Sequence, residues 1–337
     1  MDYSKIFIKD AKPTKIGGQA VMEGVMMRGE DKQALAVRLP NGDIRLEIED
    51  VKGPSKVSKV PFVRGIVSFF SSLVYGMKTL MRSTRILEEA MPEDEGDSSK
   101  LEEWLDRKFG NRTAWNVMLT ISVLISLLIT IAVFVIFPTY SVNVLKHVTK
   151  NSIMLNLAEG ILRLLIFVLY VLLISKMNDV RRLFRYHGAE HKTIHCFEHG
   201  LPLTAENARS FPRLHVRCGT AFLIMVMIIA IIVYTLTPLN ALISAWGVPD
   251  GAPKLALVIV VRILLMPLIA GLSYEITVKW AGSHPDNPLV KVILWPGMQM
   301  QYLTTNEPDD GQIECAIAAM RLVLEREERE EGAAHAS

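Results

Sequence analysis

The chain alternates between stretches with almost no polar residue and stretches patterned for a water-facing surface. Residues 115–137 run 23 positions without a charge, and residues 219–237 run 19. Residues 153–175 are apolar apart from Glu159 and Arg163, and residues 255–278 apart from Arg262 and Glu275. Each is long enough to cross a hydrocarbon core. The pattern predicts a mainly α membrane protein with a four-helix transmembrane bundle, read as two tandem hairpins. Charges inside such spans need partners. Glu159 and Arg163 stand one helical turn apart, with the acid N-terminal. Glu159 is therefore expected to bridge Arg163 and Arg262 in an intramembrane network, read either as a structural ion-pair cluster or as a polar cavity that admits a substrate head group or proton.

The polar stretches carry shorter periods. Leu35, Val37 and Leu39 alternate with polar residues, as do Ile44, Leu46 and Ile48, and Asn41-Gly42 lies between them. Asn-Gly between two alternating runs predicts a β-hairpin over 34–49. The preceding residues 16–29, IGGQAVMEGVMMRG, hold four glycines. They read as a turn-rich packing element, or as a loop closing over a site with Glu23 as ligand or base. Phe62, Ile66, Phe69, Phe70, Leu73, Val74 and Met77 keep helical spacing over too few residues to span. They predict an amphipathic helix lying on the membrane surface or packed on the bundle. Ile313, Ile317, Met320 and Leu324 mark a C-terminal helix, with fraying expected after residue 326. Leu289 to Trp295 is read as a short apolar run ended by Pro296-Gly297.

The organisation follows. Residues 1–60 form a Gly-rich segment and hairpin, and 61–90 an interfacial helix. Residues 91–114 form an acidic linker, and 115–278 the bundle with a His-rich loop at 177–218. Residues 279–337 form a C-terminal segment and helix. The soluble parts make a small α+β portion containing the hairpin.

Charge orients the bundle. The 177–218 loop carries seven Lys/Arg residues, whereas the other two loops offer Lys146, Lys150 and, at the edge, Lys254. Positive charge favours the cytoplasmic side, which places both termini and this loop there. The first 15 residues lack an apolar core and a cleavage site, so the internal spans are expected to direct insertion. Half of the 337 residues are hydrophobic and the formal net charge is +2. No Lys/Arg tract with interleaved aromatics exists, which argues against nucleic acid as a partner. The expected partners are the lipid bilayer and other membrane proteins, or further copies of the chain. Three widely spaced cysteines give no disulfide framework.

The densest chemistry lies in YHGAEHKTIHCFEHG, residues 186–200. Histidines stand at 187, 191, 195 and 199, four of the eight in the chain. Residues four apart share a helix face, and each such step drifts by about 40°. Two neighbouring imidazoles can therefore meet one ion, but all four cannot. His-x-x-Glu-His occurs twice, at 187–191 and 195–199. It has the form of an inverted zinc-peptidase motif, in which two histidines hold the metal and the glutamate activates water. The expectation is a divalent metal, zinc foremost, on His187, His191 and His195, with Glu190 as the catalytic base. Further ligands are open among Glu23, His215, Glu275 and His284. His215 and Cys218 form another soft ligand pair. Arg213 and Arg217 are read as span-end charges or as an anion or lipid head-group site.

IGGQAVMEGVMMRG, YHGAEHKTIH, RCGT at 217–220, SYE at 273–275 and LTTNEPDD at 303–310 together resemble the YqhQ family of bacterial membrane proteins. The resemblance extends over nearly the whole chain. It implies a multi-pass protein of the bacterial cytoplasmic membrane. The family's label as a predicted metal-dependent enzyme would fall here on His187, Glu190 and His191. Two functions remain open: a metal-dependent hydrolase, or a non-catalytic scaffold or assembly factor.

Overall fold

The computed structural model describes residues 12, 14–51, 60–91, 111–145, 149, 151–237, 239–249, 251–281, 284 and 287–336. Residues 92–110, most of the acidic linker read from the sequence, lie outside the described residues.

Four strands open the chain: β1 (Gly17–Val21), β2 (Gly24–Arg28), β3 (Lys32–Arg38) and β4 (Ile44–Asp50). They form one antiparallel sheet in the order β1-β2-β3-β4. The expected hairpin is β3–β4, with Arg38 opposite Ile44 and Gly42 at φ 91° in the turn. Residues 16–29 form a second hairpin, with Val21 opposite Gly24. Period-two alternation gives the sheet two apolar faces. Val25, Met27, Ala34 and Ala36 share one buried cluster with the C-terminal helix. Val21, Met26, Leu35 and Val37 share another with Ile86 and Leu87.

The helices follow: α1 (Val63–Ala90), α2 (Asn111–Ile131), α3 (Phe137–Leu145), α4 (Ser152–Ile174), α5 (Asn178–Glu198), α6 (Ala205–Arg209), α7 (Gly219–Leu236), α8 (Leu239–Ala245), α9 (Ala252–Tyr274), α10 (Pro288–Thr304) and α11 (Asp310–Ala336). Four segments are long and apolar enough to cross a membrane: Thr120–Val142, Ile153–Ile174, Gly219–Leu236 and Ala256–Trp280. The first lies a few residues beyond the stretch read from the sequence. It joins α2 and α3 through a π-helical segment, Ala132–Ile136. Pro138 lacks an N–H for the carbonyl of Phe134 and crowds it, and the wider turn relieves both.

α1 links the sheet to the apolar helices. Near its start, Gly65 lies against Tyr274 and Gly271 of α9, and Arg64 pairs with Glu275. Near its end, Arg82 pairs with Glu47 of β4 at 2.6 Å. Phe70, Leu73, Val74, Met77 and Met81 stay exposed on one side.

Two expectations are corrected. The apolar run 289–295 does not stop at Pro296-Gly297, because α10 continues through both to Thr304. A Cβ at Gly297 would lie 2.8 Å from that of Ala221, so packing against α7 holds the helix together across the proline. The charged tail after 326 remains helical to Ala336.

The charges within the apolar helices meet. Glu159 accepts from Arg163, from Arg262 Nη1 at 2.8 Å and from Thr139 Oγ1 at 2.9 Å.

Candidate metal centre

α5 carries the site. Its second half is buried almost continuously from Tyr186 to Glu198, held between β1 and β2 of the sheet, α11 and the segment 210–218 that leads into α7. Two glycines permit this closeness. A Cβ at Gly188 would strike the carbonyl oxygen of Asn306, and one at Gly18 would lie 2.7 Å from Glu190 Cγ.

The helix sorts its histidines into two groups. In the first, ligand atoms of His187, His191 and Cys218 lie within 4.8 Å of one another. Cys218 stands at the N-cap of α7, where unpaired N–H groups favour negative charge. Its Sγ is 3.3 Å from His187 Nε2 and 3.0 Å from Thr220 Oγ1. His187 Nδ1–H donates to the Thr304 carbonyl at 2.8 Å. His191 Nδ1–H donates to the Arg213 carbonyl at 2.6 Å. A carbonyl can only accept, so these contacts place the proton of each neutral ring on Nδ1 and leave a lone pair on Nε2. Ligating histidines are commonly oriented in this way by their outer nitrogen.

Charge in the group is shared. Burial alone would raise the Cys218 thiol, but His187 and His191 hold it well below its ordinary value. Burial would likewise lower His187, and the neighbouring Cys218 raises it to about 9. A cation entering the group therefore meets a sulfur that readily gives up its proton. Glu190, one residue before His191, is 5% exposed. Its pKa is raised by burial against the opposing pull of His191 and His187.

The second group is His195, Glu198 and His215, also within 4.8 Å, but its donors are engaged. Glu198 accepts from Arg217 and from the Thr14 N–H at 2.8 Å. His215 Nδ1 accepts the Arg217 N–H at 3.3 Å, which puts the proton of the neutral ring on Nε2, facing Glu198 Oε2 at 3.5 Å. His195 Nε2–H donates to the Leu214 carbonyl at 2.8 Å. Burial raises Glu198, but His215 and Arg217 overcome it and bring the carboxyl down to about 2. This group is a closed ion-pair network.

The remaining expected residues are distributed as follows. His195 and His215 join the second group, away from His187. Glu23 pairs with Arg182 and accepts from Tyr186 Oη at 3.2 Å. Glu275 is taken by Arg64. His284 donates from Nδ1 to the Trp280 carbonyl at 2.9 Å. None of these three belongs to either group. Arg217 is committed to Glu198, while the Arg213 guanidinium lies 5.8 Å from the Tyr302 ring centre. His199 packs on Phe211, so the second His-x-x-Glu-His does not act as a unit. The expected His215–Cys218 pair is split between the groups.

Three comparisons bear on this chain. The sequence model of a family described as "Protein of unknown function (DUF1385)" matches residues 60–326. The chain is 32% identical over 330 residues, 95% of either chain, to "Uncharacterized protein YqhQ" of Bacillus subtilis (strain 168). No solved structure matches.

Proposed function

We propose, for a chain that belongs to the DUF1385 family, a multi-pass membrane protein with a metal site on His187, His191 and Cys218, acting as a metal-dependent hydrolase. One observation carries the reading: two imidazole rings, each fixed through Nδ1 by a backbone carbonyl, converge with one sulfur. Two nitrogens and a thiolate suit zinc, and three protein ligands leave a coordination position open. A bound zinc ion would supply Lewis acidity and lower the pKa of water at that position.

The chain's own residues do the rest. The Thr304 and Arg213 carbonyls hold the two rings in place. Glu190 accepts a proton from the attacking water and returns it to the leaving group, a role suited to a carboxylate whose pKa burial has raised. Gly18 leaves room for Glu190 beside β1. The N-terminal end of α7 favours a negatively charged group on the substrate. The loop charges support a cytoplasmic placement, so the substrate would come from that side of the membrane or its adjoining leaflet.

A second reading, a non-catalytic scaffold or assembly factor, draws on a different observation. Phe70, Leu73, Val74, Met77 and Met81 stay exposed along one side of α1. The exposed stripe of α1 would then be a docking face.

Elemental mass spectrometry on full-length protein purified without chelator separates these readings at the metal. The expected result is about one zinc per chain, lost in His187→Ala and Cys218→Ala and kept in Glu190→Gln. Failure of the wild type to hold metal after reconstitution would overturn the metal site and leave the scaffold.

A further inference from the structure

The apolar helices hold a second polar site. Arg163 stands near the middle of α4 and Arg262 near the middle of α9, and both turn their guanidinium groups to Glu159. Thr139 Oγ1 closes the group, 2.9 Å from Glu159 Oε1 and 3.3 Å from Arg163 Nη2. Tyr234 Oη–H donates to the Arg262 carbonyl at 2.9 Å. Its ring lies 5.4 Å from the Arg262 guanidinium. Two guanidinium groups and one carboxylate leave one positive charge unbalanced. Among the described residues, neither arginine has a second acid. Arg163 Nε and Arg262 Nε are both buried and lack a hydrogen-bond partner. A closed structural ion pair needs only one arginine for one carboxylate. The extra cation and its orphaned donors fit a missing anion.

The site is separate from the histidine group. Tyr234 lies 16 residues along α7 from Cys218, about 24 Å at the helical rise. If the helices cross a membrane, on which this inference rests, the arginines serve the opposite half of the bilayer. Guanidinium forks match phosphate oxygens bidentately. The net positive charge favours a head group that is itself negative.

We propose that Arg163 and Arg262 bind a phosphate oxyanion, the head group of an anionic lipid, in the membrane half away from His187. Arg163→Gln is the informative variant, because it balances the charge and keeps the Arg262–Glu159 pair that joins α4 to α9. A structural cluster would tolerate it, whereas an anion site would lose its ligand.

The test uses full-length, delipidated protein in detergent, with native mass spectrometry to count bound phosphatidylglycerol or phosphatidylcholine. The wild type is expected to retain one phosphatidylglycerol at least about 10-fold more tightly than Arg163→Gln does. It should also prefer that lipid to phosphatidylcholine, and Arg163→Lys should recover most of the binding. Zinc content and thermal unfolding report whether each variant is folded. A parallel titration with inorganic phosphate identifies the source. No displacement of the lipid supports the lipid head group, whereas displacement together with a rise in wild-type unfolding temperature assigns the same site to the soluble anion. Equal affinity of wild type and Arg163→Gln for phosphatidylglycerol, with no response to phosphate, overturns the site. A wild type that binds both lipids alike and ignores phosphate overturns it even where Arg163→Gln fails to fold.

Discussion

The two donor groups on α5 are near copies in composition and opposites in chemistry. Each gathers three ligand-type side chains within 4.8 Å, and His191 and His195 are one turn apart. In the first group the outer ring nitrogens donate to backbone carbonyls, and the inner atoms face one another, His187 Nε2 against Cys218 Sγ. In the second, Arg217 and the Thr14 N–H occupy Glu198, and the His215 nitrogens face the Arg217 N–H and Glu198. What separates a ligand set from an ion-pair network is therefore the contacts behind the donors. Spacing along the helix does not separate them: His187 and His191 stand four apart and His195 and Glu198 three, and both spacings share a helix face.

That comparison breaks most sharply at the donors. Cys218→Ser and His191→Ala should weaken zinc binding by at least about 100-fold, because each removes one of three ligands. His195→Ala and His215→Ala should leave it within about 3-fold, since neither ring belongs to the first group. Competition against a chromophoric chelator measures all four. Similar losses from both pairs would make the two groups one site.

The second group should declare itself through stability. Its carboxyl titrates at about 2 in the folded chain, against roughly 4.3 when unfolded. A depressed folded value means that the stabilisation is present above the unfolded pKa. It is lost as the pH falls from about 4 toward 2, by up to about 3 kcal/mol. Glu198→Gln should flatten the fall in unfolding temperature across that window. An unchanged slope would mean that Glu198 is not held by Arg217 and His215.

The smallest effect is expected behind the first group. Gln301 accepts the His215 N–H at 2.8 Å and donates to the His215 carbonyl at 2.9 Å. It thereby braces the segment whose Arg213 carbonyl orients His191. Gln301→Leu should loosen that carbonyl and cost about 10-fold in zinc affinity with the stoichiometry unchanged. An affinity equal to wild type would show that the ring needs no such support.

Much of this molecule could be read from its sequence. The four long apolar helices, the β3–β4 hairpin and the Glu159–Arg163–Arg262 network each follow from a local period or from charges that must pair in an apolar setting. The first hairpin was obscured by its glycines, which look like turn residues. Gly18 and Gly24 lie inside strands because Glu190 and the Ala36 carbonyl press against them. The donor sets were only half legible. Helical spacing joins His187 to His191, but Cys218 lies 31 residues beyond His187 and reaches it only through the packing of α7 on α10. Glu23 and Glu275 are candidate ligands by sequence, and the arginines that claim them are 159 and 211 residues away.

The central claim is that sulfur and two imidazoles hold one metal ion, and the sulfur gives it a direct signature. Cobalt(II) substituted into the purified full-length protein should show a thiolate-to-metal charge-transfer band, with X-ray absorption at the cobalt edge giving one sulfur and two imidazole nitrogens. Cys218→Ser should abolish the band, and His195→Ala should preserve it. A cobalt spectrum without sulfur ligation, or one lost equally in His195→Ala, would contradict the account.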